Sequence, residues 1–293
     1  MKLIHLKNKK IDRLLWDEKI ELSAGNLPYA QSWFLDIVSP KWEAIVSENY
    51  EYIMPLPVKE KFKIGYLVQP LYTQQLGIFS EQAPTPEIIE LFLAKIPYLS
   101  YQFNLNENNK LTSAIEQPNF VLSLNKSYNE IAKEYSKNSQ RNIEKAIKSK
   151  LIIEEIFNHN EVINFINNSI DVQPVKPNKI IELIVSKGLK LNNIKCIGAK
   201  NSSGELIANA CFLKTKSRFV YLYPVSNEEG KKSSAMFAII DSFIRNYADN
   251  ELVLDFEGSR FEGIARFYKG FGAQNKPYYM VKKYRPDFLT GKF

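Results

Sequence analysis

Hydrophobic and polar positions alternate in several segments of the first half of the chain, as in half-buried strands. The segments YEYIMPLPVKEK and FKIGYLVQPLYTQQLGIFS are rich in β-branched and aromatic residues and are interrupted by Gly and Pro, so they predict strands joined by turns. Two stretches with helical spacing accompany them, IDRLLWDEKIEL and TPEIIELFLAKIP. In the second helix, Thr85 is placed to cap the amino terminus and Pro86 to occupy the first turn.

The second half contains three consecutive strand patterns, NIKCIGAKN, ELIANACFLKTKS and RFVYLYPVS. The short polar turns between them predict an antiparallel meander. The rest of the chain predicts a helix, a strand, a short helix and a last strand, at SSAMFAIIDSFIRNYAD, ELVLDFEG, IARFYKGFG and KPYYMVKKY.

A long polar helix is predicted over residues 127–150, between the two groups of strands. Ser127 and Glu130 have the spacing of a capping box. The segment Lys126–Lys150 carries seven basic and three acidic residues, a net charge of 7 − 3 = +4. Lys137 and Arg141 are four positions apart and therefore share one face of the helix.

The two halves have the same order of predicted elements: a strand, helices, a meander, a helix and a strand. This repetition predicts an α/β (α+β) fold with an N-terminal module over residues 1–125 and a C-terminal module over residues 126–293. Each module is expected to hold a mixed, largely antiparallel sheet flanked by helices. A chain of 293 residues is also long enough for about two domains.

The charge and composition of the chain limit the classes of partner that it is expected to bind. The chain is 45% hydrophobic and 24% charged, the balance of a globular protein, and its net charge of +7 fits an anionic partner such as a phosphate-rich cofactor, RNA or a membrane surface. Of the 39 basic residues only seven are Arg. Lysine is poorly suited to bidentate recognition of guanine, so we expect no DNA partner.

Several classes are disfavoured by what the sequence lacks. No apolar run approaches the ~20 residues that span a bilayer, and lysines interrupt the apolar stretch at the amino terminus, so we expect a cytoplasmic protein without a membrane span. There is no CxxC or HExxH pattern and there are only two histidines, so we expect no metal. Cys196 and Cys211 lie in apolar strand patterns and are expected to be small buried hydrophobes.

A candidate anion site lies where the third meander strand gives way to a helix. Gly230 would free the backbone there, and the following residues would surround a helix amino terminus, where N–H groups and the helix dipole favour phosphate; they are Lys231, Lys232, Ser233, Ser234 and Ala235. The alternative is a solvated helix start with a Ser cap and surface lysines.

Tyr268 precedes Gly272 by four positions in ARFYKGFGA, which resembles the A-x-x-x-Y-x-x-x-G signature of the GNAT acyltransferase superfamily. The resemblance implies that Tyr268 protonates the departing thiolate of an acyl-CoA. A phenol suits that role because its usual pKa is near that of a thiol. The alternative is a core aromatic residue.

Two further segments, SKNSQRNIEKA and LDFEGSRFEGIARFYKGFGA, resemble the RRNI-x-KA and DF-x-G segments of Fem-type peptidoglycan aminoacyltransferases and their BioF2-like relatives. This resemblance implies two GNAT modules in tandem, with the acyl donor in the C-terminal one. The superfamily's phosphate loop, Arg/Gln-x-x-Gly-x-Gly/Ala, is matched here only at Ala235. In such folds, backbone N–H groups of a splayed strand hold the donor carbonyl, and the corresponding strand here is Arg218–Val225.

Other candidate residues complete the predicted site. Asp255 and Glu257 are two apart in a strand pattern, would face the same side and could act as a general base; the alternative is a structural ion pair or a helix cap. Substrate contacts are expected from two regions, the basic residues Lys137, Arg141 and Arg260, and the polar and aromatic segment containing Gln69, Tyr72 and Gln74. The alternative for the basic residues is a set of solvated surface charges.

Three functions follow as hypotheses. The first is an N-acyltransferase that uses acyl-CoA, such as acetyl-CoA, as cosubstrate and a small-molecule amine as acceptor. The second is a Fem-like enzyme that uses aminoacyl-tRNA and a peptidoglycan precursor. The third is a non-catalytic GNAT-fold binding protein.

Overall fold

The computed structural model describes residues 1–169, 179–259 and 261–284 and divides into two compact units. Unit 1 comprises Met1–Pro118 and Lys276–Phe293, and unit 2 comprises Asn119–Asn275. The C-terminal module was predicted over residues 126–293, whereas unit 2 begins at Asn119 and ends at Asn275. The last strand, predicted in the C-terminal module, pairs in a sheet of unit 1.

Unit 1 contains a three-stranded and a five-stranded sheet, with strand orders β1-β2-β3 and β4-β5-β6-β15-β7. Its strands are β1 Leu3–Leu6, β2 Glu43–Ser47, β3 Ile53–Leu56, β4 Val58–Lys61, β5 Ile64–Val68, β6 Tyr101–Leu105, β7 Ile115–Gln117 and β15 Tyr278–Lys283. Its α-helices are α1 Arg13–Leu22, α2 Ser32–Val38 and α3 Pro86–Lys95. The predicted cap of α3 is confirmed, since the Thr85 side chain accepts from the Ile88 N–H.

Unit 2 contains one seven-stranded sheet with the order β14-β8-β13-β12-β11-β10-β9. Its strands are β8 Phe120–Ser123, β9 Ile152–Glu155, β10 Ile194–Lys200, β11 Leu206–Lys214, β12 Arg218–Ser226, β13 Val253–Asp255 and β14 Gln274–Asn275. Its helices are α4 Tyr128–Lys133, α5 Lys137–Lys148, α6 His159–Asn168, α7 Lys179–Lys190, α8 Glu228–Lys232, α9 Ala235–Tyr247 and α10 Glu262–Lys269.

The predicted meander is confirmed, because β10, β11 and β12 pair antiparallel in sequence order. The next strand, β13, pairs with β12 in parallel, unlike the antiparallel pairs of the meander. A parallel pair requires a crossover connection, which α8 and α9 supply. The apolar side of α9 packs on the meander, where the Phe243 ring stacks on Phe212 with centroids 4.3 Å apart.

The predicted helix over residues 127–150 is two helices, α4 and α5. Its amino terminus agrees with the prediction, since Ser127 and Glu130 form both bonds of a capping box. The break follows α4, where Tyr135 is buried against Phe271 and the Ser136 N–H donates to the Gly270 carbonyl. Ser136 then caps α5 by accepting from the Ser139 N–H. Contacts with the segment after α10 therefore end α4.

Candidate functional site

β12 and β13 diverge after three pairs of residues, the last of which is Val220 with Asp255. β12 continues to Ser226. The chain that leaves β13 follows β8 instead, because the Phe256 N–H donates to the Phe120 carbonyl and the Phe120 N–H donates to the Glu257 carbonyl. A strand that parts from its neighbour in this way opens a gap in the sheet, and ligands favour such crevices at strand ends.

A cavity of about 460 Å³ lies at this divergence, entirely within unit 2. One wall is the last part of β12 and another is α10; α5, α8 and α9 complete it. The lining residues are Asn142, Tyr221, Pro224, Val225, Ser226, Gly230, Lys231, Ser234, Met236, Phe237, Gly263, Ile264, Phe267 and Tyr268. A proline is tolerated in β12 because the open edge of a strand does not need its N–H.

Five residues predicted from the sequence line this cavity together: Val225, Gly230, Lys231, Ser234 and Tyr268. Other predicted positions do not line it. Lys232 is exposed on α8, Ser233 is half-buried, Ala235 is buried in the core, and Lys137 and Arg141 are exposed on α5. Arg260 lies outside the described residues.

Tyr268 is enclosed by aromatic rings. Its ring stacks on Phe256 with centroids 5.0 Å apart and lies edge-on to Tyr221 at 6.2 Å. Burial raises the pKa of Tyr268 well above its usual value, and the negative charges of Glu257 and Asp255 raise it further. The phenol therefore stays protonated at neutral pH and can donate a hydrogen bond, but it gives up its proton less readily than an ordinary tyrosine.

Asp255 is fully buried, and its Oδ2 accepts from the Arg218 guanidinium at 2.5 Å. Of the two expectations for Asp255, a general base or a structural ion pair, the structure shows the ion pair. Asp255 and Glu257 were expected to face the same side of one strand. That argument does not apply, because β13 ends at Asp255 and Glu257 lies beyond it. Glu257 has a left-handed φ of 62° and its N–H donates to Asp255 Oδ1 at 2.9 Å. A non-glycine residue in this region is uncommon and marks a constrained site.

Gly230 was expected to free the backbone before a helix amino terminus, but the structure gives it a different role. It lies inside α8, and a Cβ atom there would meet the Ile207 carbonyl oxygen at 2.2 Å. The glycine therefore permits the close packing of α8 on β11. The long helix begins later, at Ala235, with Ser234 before it in a left-handed conformation.

We expect Gly230→Ala to destabilise the protein by about 3 kcal/mol, because a Cβ atom must displace backbone. Gly263→Ala is the matched control, since Gly263 lines the same cavity and its Cβ would meet nothing within 4 Å. Alanine in α10 is expected to stabilise by up to about 1 kcal/mol. Chemical denaturation of both variants measures the difference, and equal stabilities would contradict the close-packing role.

Asn142 is a cavity residue that the sequence analysis missed. Its Oδ1 accepts from the Ser234 hydroxyl at 2.8 Å, so α5 is tied to the start of α9. The Ser234 hydroxyl is thereby used on α5 and does not cap α9. The sequence could have indicated Asn142, because its spacing from the buried Ser139 and Ala146 puts it on the inward side of α5.

The opposite side of α5 is basic. Lys137, Arg141 and Lys145 are exposed at every fourth position, and no ion pair involves them within the described part of the chain. Their charges therefore add to the positive potential near Asn142 at the cavity wall.

Two of the three candidate residues of unit 1, Gln69 and Gln74, are engaged in local hydrogen bonds. The Gln69 side chain donates to the Thr73 carbonyl at 2.8 Å and accepts from the Asn104 N–H at 2.9 Å. Gln74 Oε1 accepts from Gln75 at 2.6 Å, and Tyr72 has a left-handed φ of 57°. These side chains thus support the irregular segment after β5.

The two cysteines lie in the core of unit 2. Cys196 and Cys211 are buried free thiols on opposed residues of β10 and β11, with Sγ atoms 3.5 Å apart, as expected for small core residues. Among the residues described, no group of three His, Cys, Asp or Glu side chains is arranged to hold a metal ion. Within the same residues, every helix is too short or too polar to cross a membrane.

The fold is similar to that of several solved structures. FemX shares 10% identity at a TM-score of 0.68, over 96% of this chain and 97% of that chain. L-PGS from Bacillus licheniformis shares 9% identity at a TM-score of 0.62, and the match covers 95% of this chain and 93% of that chain. A tandem GNAT protein from the clavulanic acid biosynthesis pathway, solved without acetyl-CoA, shares 11% identity at a TM-score of 0.51. The match covers 98% of this chain and 100% of that chain.

No protein-family model matches the sequence, and no curated protein sequence matches it. The structural similarity confirms the GNAT-like, Fem-type fold predicted from the motifs around Arg141 and Tyr268. At these identities it establishes the fold alone.

Proposed function

We propose that unit 2 transfers an acyl group from a CoA thioester to an amine acceptor. The observation that carries the proposal is the cavity at the divergence of β12 and β13, lined by Tyr268 beside Tyr221 and by Lys231 of α8, which follows the end of β12. The cavity follows β12 from Tyr221 to Ser226, a span of ~16 Å at ~3.3 Å per residue. This elongated shape suits a linear thioester arm that ends in phosphates.

The phosphate end would lie at Lys231 and the amino end of α9. Uncapped N–H groups and the helix dipole favour anions there, and Lys231 supplies a positive charge. The apolar side chains of Ile264, Phe237 and Phe267 would cover the arm. Backbone groups on the open edge of β12 would then hold the thioester carbonyl.

The transfer step would use Tyr268 at the other end of the cavity together with Glu257, which does not line the cavity but is close enough to act on Tyr268. The amine nitrogen attacks the thioester carbonyl, a C–N bond forms, and the C–S bond breaks. Glu257, whose charge acts on Tyr268, would accept the proton lost by the amine. Tyr268 would give its proton to the departing thiolate, so that one proton is taken up and one is released.

The charge of the lining favours an acyl-CoA donor over an aminoacyl donor. Of the described residues that line the cavity, Lys231 is the one cation and none is a carboxylate. An aminoacyl group carries an ammonium that requires a desolvated partner, whereas an acyl thioester does not.

Thermal unfolding with acetyl-CoA and longer acyl-CoAs tests the proposal. A ligand at one hundred times its Kd is expected to stabilise the protein by about 2.7 kcal/mol, which raises Tm by several degrees. An unchanged Tm with every thioester would contradict the proposal.

Adjacent lysines provide a matched pair of variants for the same titration. Lys231 lines the cavity and Lys232, also exposed on α8, does not. Lys231→Glu is expected to weaken acyl-CoA binding about tenfold, because it removes a charge-assisted contact and adds repulsion. Lys232→Glu is expected to weaken it much less, and equal losses would place the phosphates elsewhere.

The basic side of α5 favours a second candidate, a Fem-like transferase that uses aminoacyl-tRNA and acts on a peptidoglycan precursor. Lys137, Arg141 and Lys145 would contact the RNA backbone. Binding of charged tRNA that weakens steeply with salt, together with no response to acyl-CoA, would support it. Binding of acyl-CoA without transfer to any of a panel of amines would support a non-catalytic binding protein.

A further inference from the structure

The turn between β4 and β5 in unit 1 is made of residues that this kind of turn disfavours. Lys61 pairs with Ile64, so the loop consists of Phe62 and Lys63 alone. Both have left-handed backbones, with φ of 51° and 63°. Two-residue turns with this geometry prefer Asn-Gly or Asp-Gly, and a bulky residue with positive φ is strained. The backbone of this turn therefore does not favour Phe62, whose ring has the Lys61 ammonium 5.8 Å from its centroid.

Phe62 is also the most prominent of three exposed apolar side chains at one end of the sheet. Phe62 is 87% exposed, Ile64 68% and Leu99 68%. Leu99 is beside the start of β5, since the Leu67 N–H donates to the Ser100 carbonyl and β6 runs parallel to β5. We call Phe62, Ile64 and Leu99 the tip patch.

Lysines surround the tip patch. Lys59, Lys61 and Lys63 are exposed, and within the described residues none of them forms an ion pair. Strand alternation puts Lys59 and Lys61 on the side of the hairpin that carries Ile64. Glu60 is on the opposite side, 4.0 Å from Lys41. The patch and its surroundings are thus apolar and basic together.

We propose that the tip patch docks unit 1 onto an anionic phospholipid surface. Lysines on the edge strand β4 also protect the edge from pairing with other strands, but that role does not require an exposed phenylalanine in a strained turn. On a membrane, the Phe62 ring would enter the interface between headgroups and acyl chains, and the lysines would lie at the level of the anionic headgroups. Such docking explains both the exposed phenylalanine and the lysines around it.

Co-sedimentation with vesicles tests the proposal on the full chain. The protein is expected to bind vesicles of phosphatidylcholine with phosphatidylglycerol, less at high salt, and not vesicles of phosphatidylcholine alone. Phe62→Asn is expected to lower binding about tenfold by removing the inserted ring. The same variant is expected to keep or raise Tm, because Asn adopts the left-handed conformation more readily. Lys59→Gln and Lys61→Gln are each expected to lower binding about fivefold.

Phe157→Ser is the control, since Phe157 is a 75% exposed phenylalanine in unit 2 and its loss is expected to leave vesicle binding unchanged. Absence of binding to anionic vesicles, or equal binding by wild type and Phe62→Asn, would overturn the proposal. A lower Tm for Phe62→Asn would overturn its premise of a strained turn. Salt-sensitive capture of an acidic protein without vesicle binding would assign the patch to a protein partner instead.

Discussion

Tyr268→Phe is expected to lower the turnover of acyl transfer by at least about tenfold while acyl-CoA binding stays unchanged. The ring is held by Phe256 and Tyr221, which a phenylalanine would also contact, so the variant removes the hydroxyl alone. The raised pKa of Tyr268 has a second consequence. Because the phenol stays protonated, activity is expected not to fall through its ionisation up to about pH 10. Release of free CoA thiol, followed with a panel of amines, measures both effects.

Tyr135→Phe is the matched control for Tyr268→Phe. Tyr135 is likewise buried in unit 2, against Phe271, but does not line the cavity. Its loss is expected to leave turnover unchanged. Equal turnover of wild type and Tyr268→Phe would remove the phenol from the mechanism, and a loss of acyl-CoA affinity would make it a binding residue.

Asp255→Asn is expected to destabilise the protein by about 3–5 kcal/mol, because it leaves the Arg218 guanidinium buried without its carboxylate. Asp255 is also the last residue of β13 that pairs with β12, so its loss is expected to disturb the divergence that forms the cavity. Chemical denaturation measures the stability and titration with acyl-CoA measures the cavity.

A double variant separates the ion pair from a catalytic role of Asp255. Arg218→Met with Asp255→Leu removes both buried charges, and such replacements are often close to neutral. Recovery of stability and of acyl-CoA binding is expected. A stable Asp255→Asn protein that binds acyl-CoA but lacks turnover would instead identify Asp255 as a catalytic residue.

Local patterns predicted the elements that local chemistry determines. Thr85 and Ser127 cap helices where the sequence indicated, and the three meander strands lie where the strand patterns and the polar turns between them indicated. The break after Tyr135 was not predictable, because it depends on a contact with Phe271 more than one hundred positions away. The end of β13 at Asp255 likewise depends on β8, which draws the following chain away from β12.

The candidate site was predictable where a motif carried it and not where packing did. Tyr268 and Lys231 line one cavity, as the two motifs suggested. The role of Gly230 required the position of Ile207, which spacing along the chain does not reveal. Gln69 has a polar side chain that suits a binding site, yet its amide serves the backbone of its own segment.

The central claim is that the cavity between β12 and α10 holds the acyl donor. A crystal structure of the protein with a non-hydrolysable thioether analogue of acetyl-CoA tests it most directly. We expect density for the pantetheine arm along Val225, with the phosphates at Lys231 and the analogue's sulfur beside the Tyr268 hydroxyl. Density for the analogue at any other place on the protein, with this cavity empty, would contradict it.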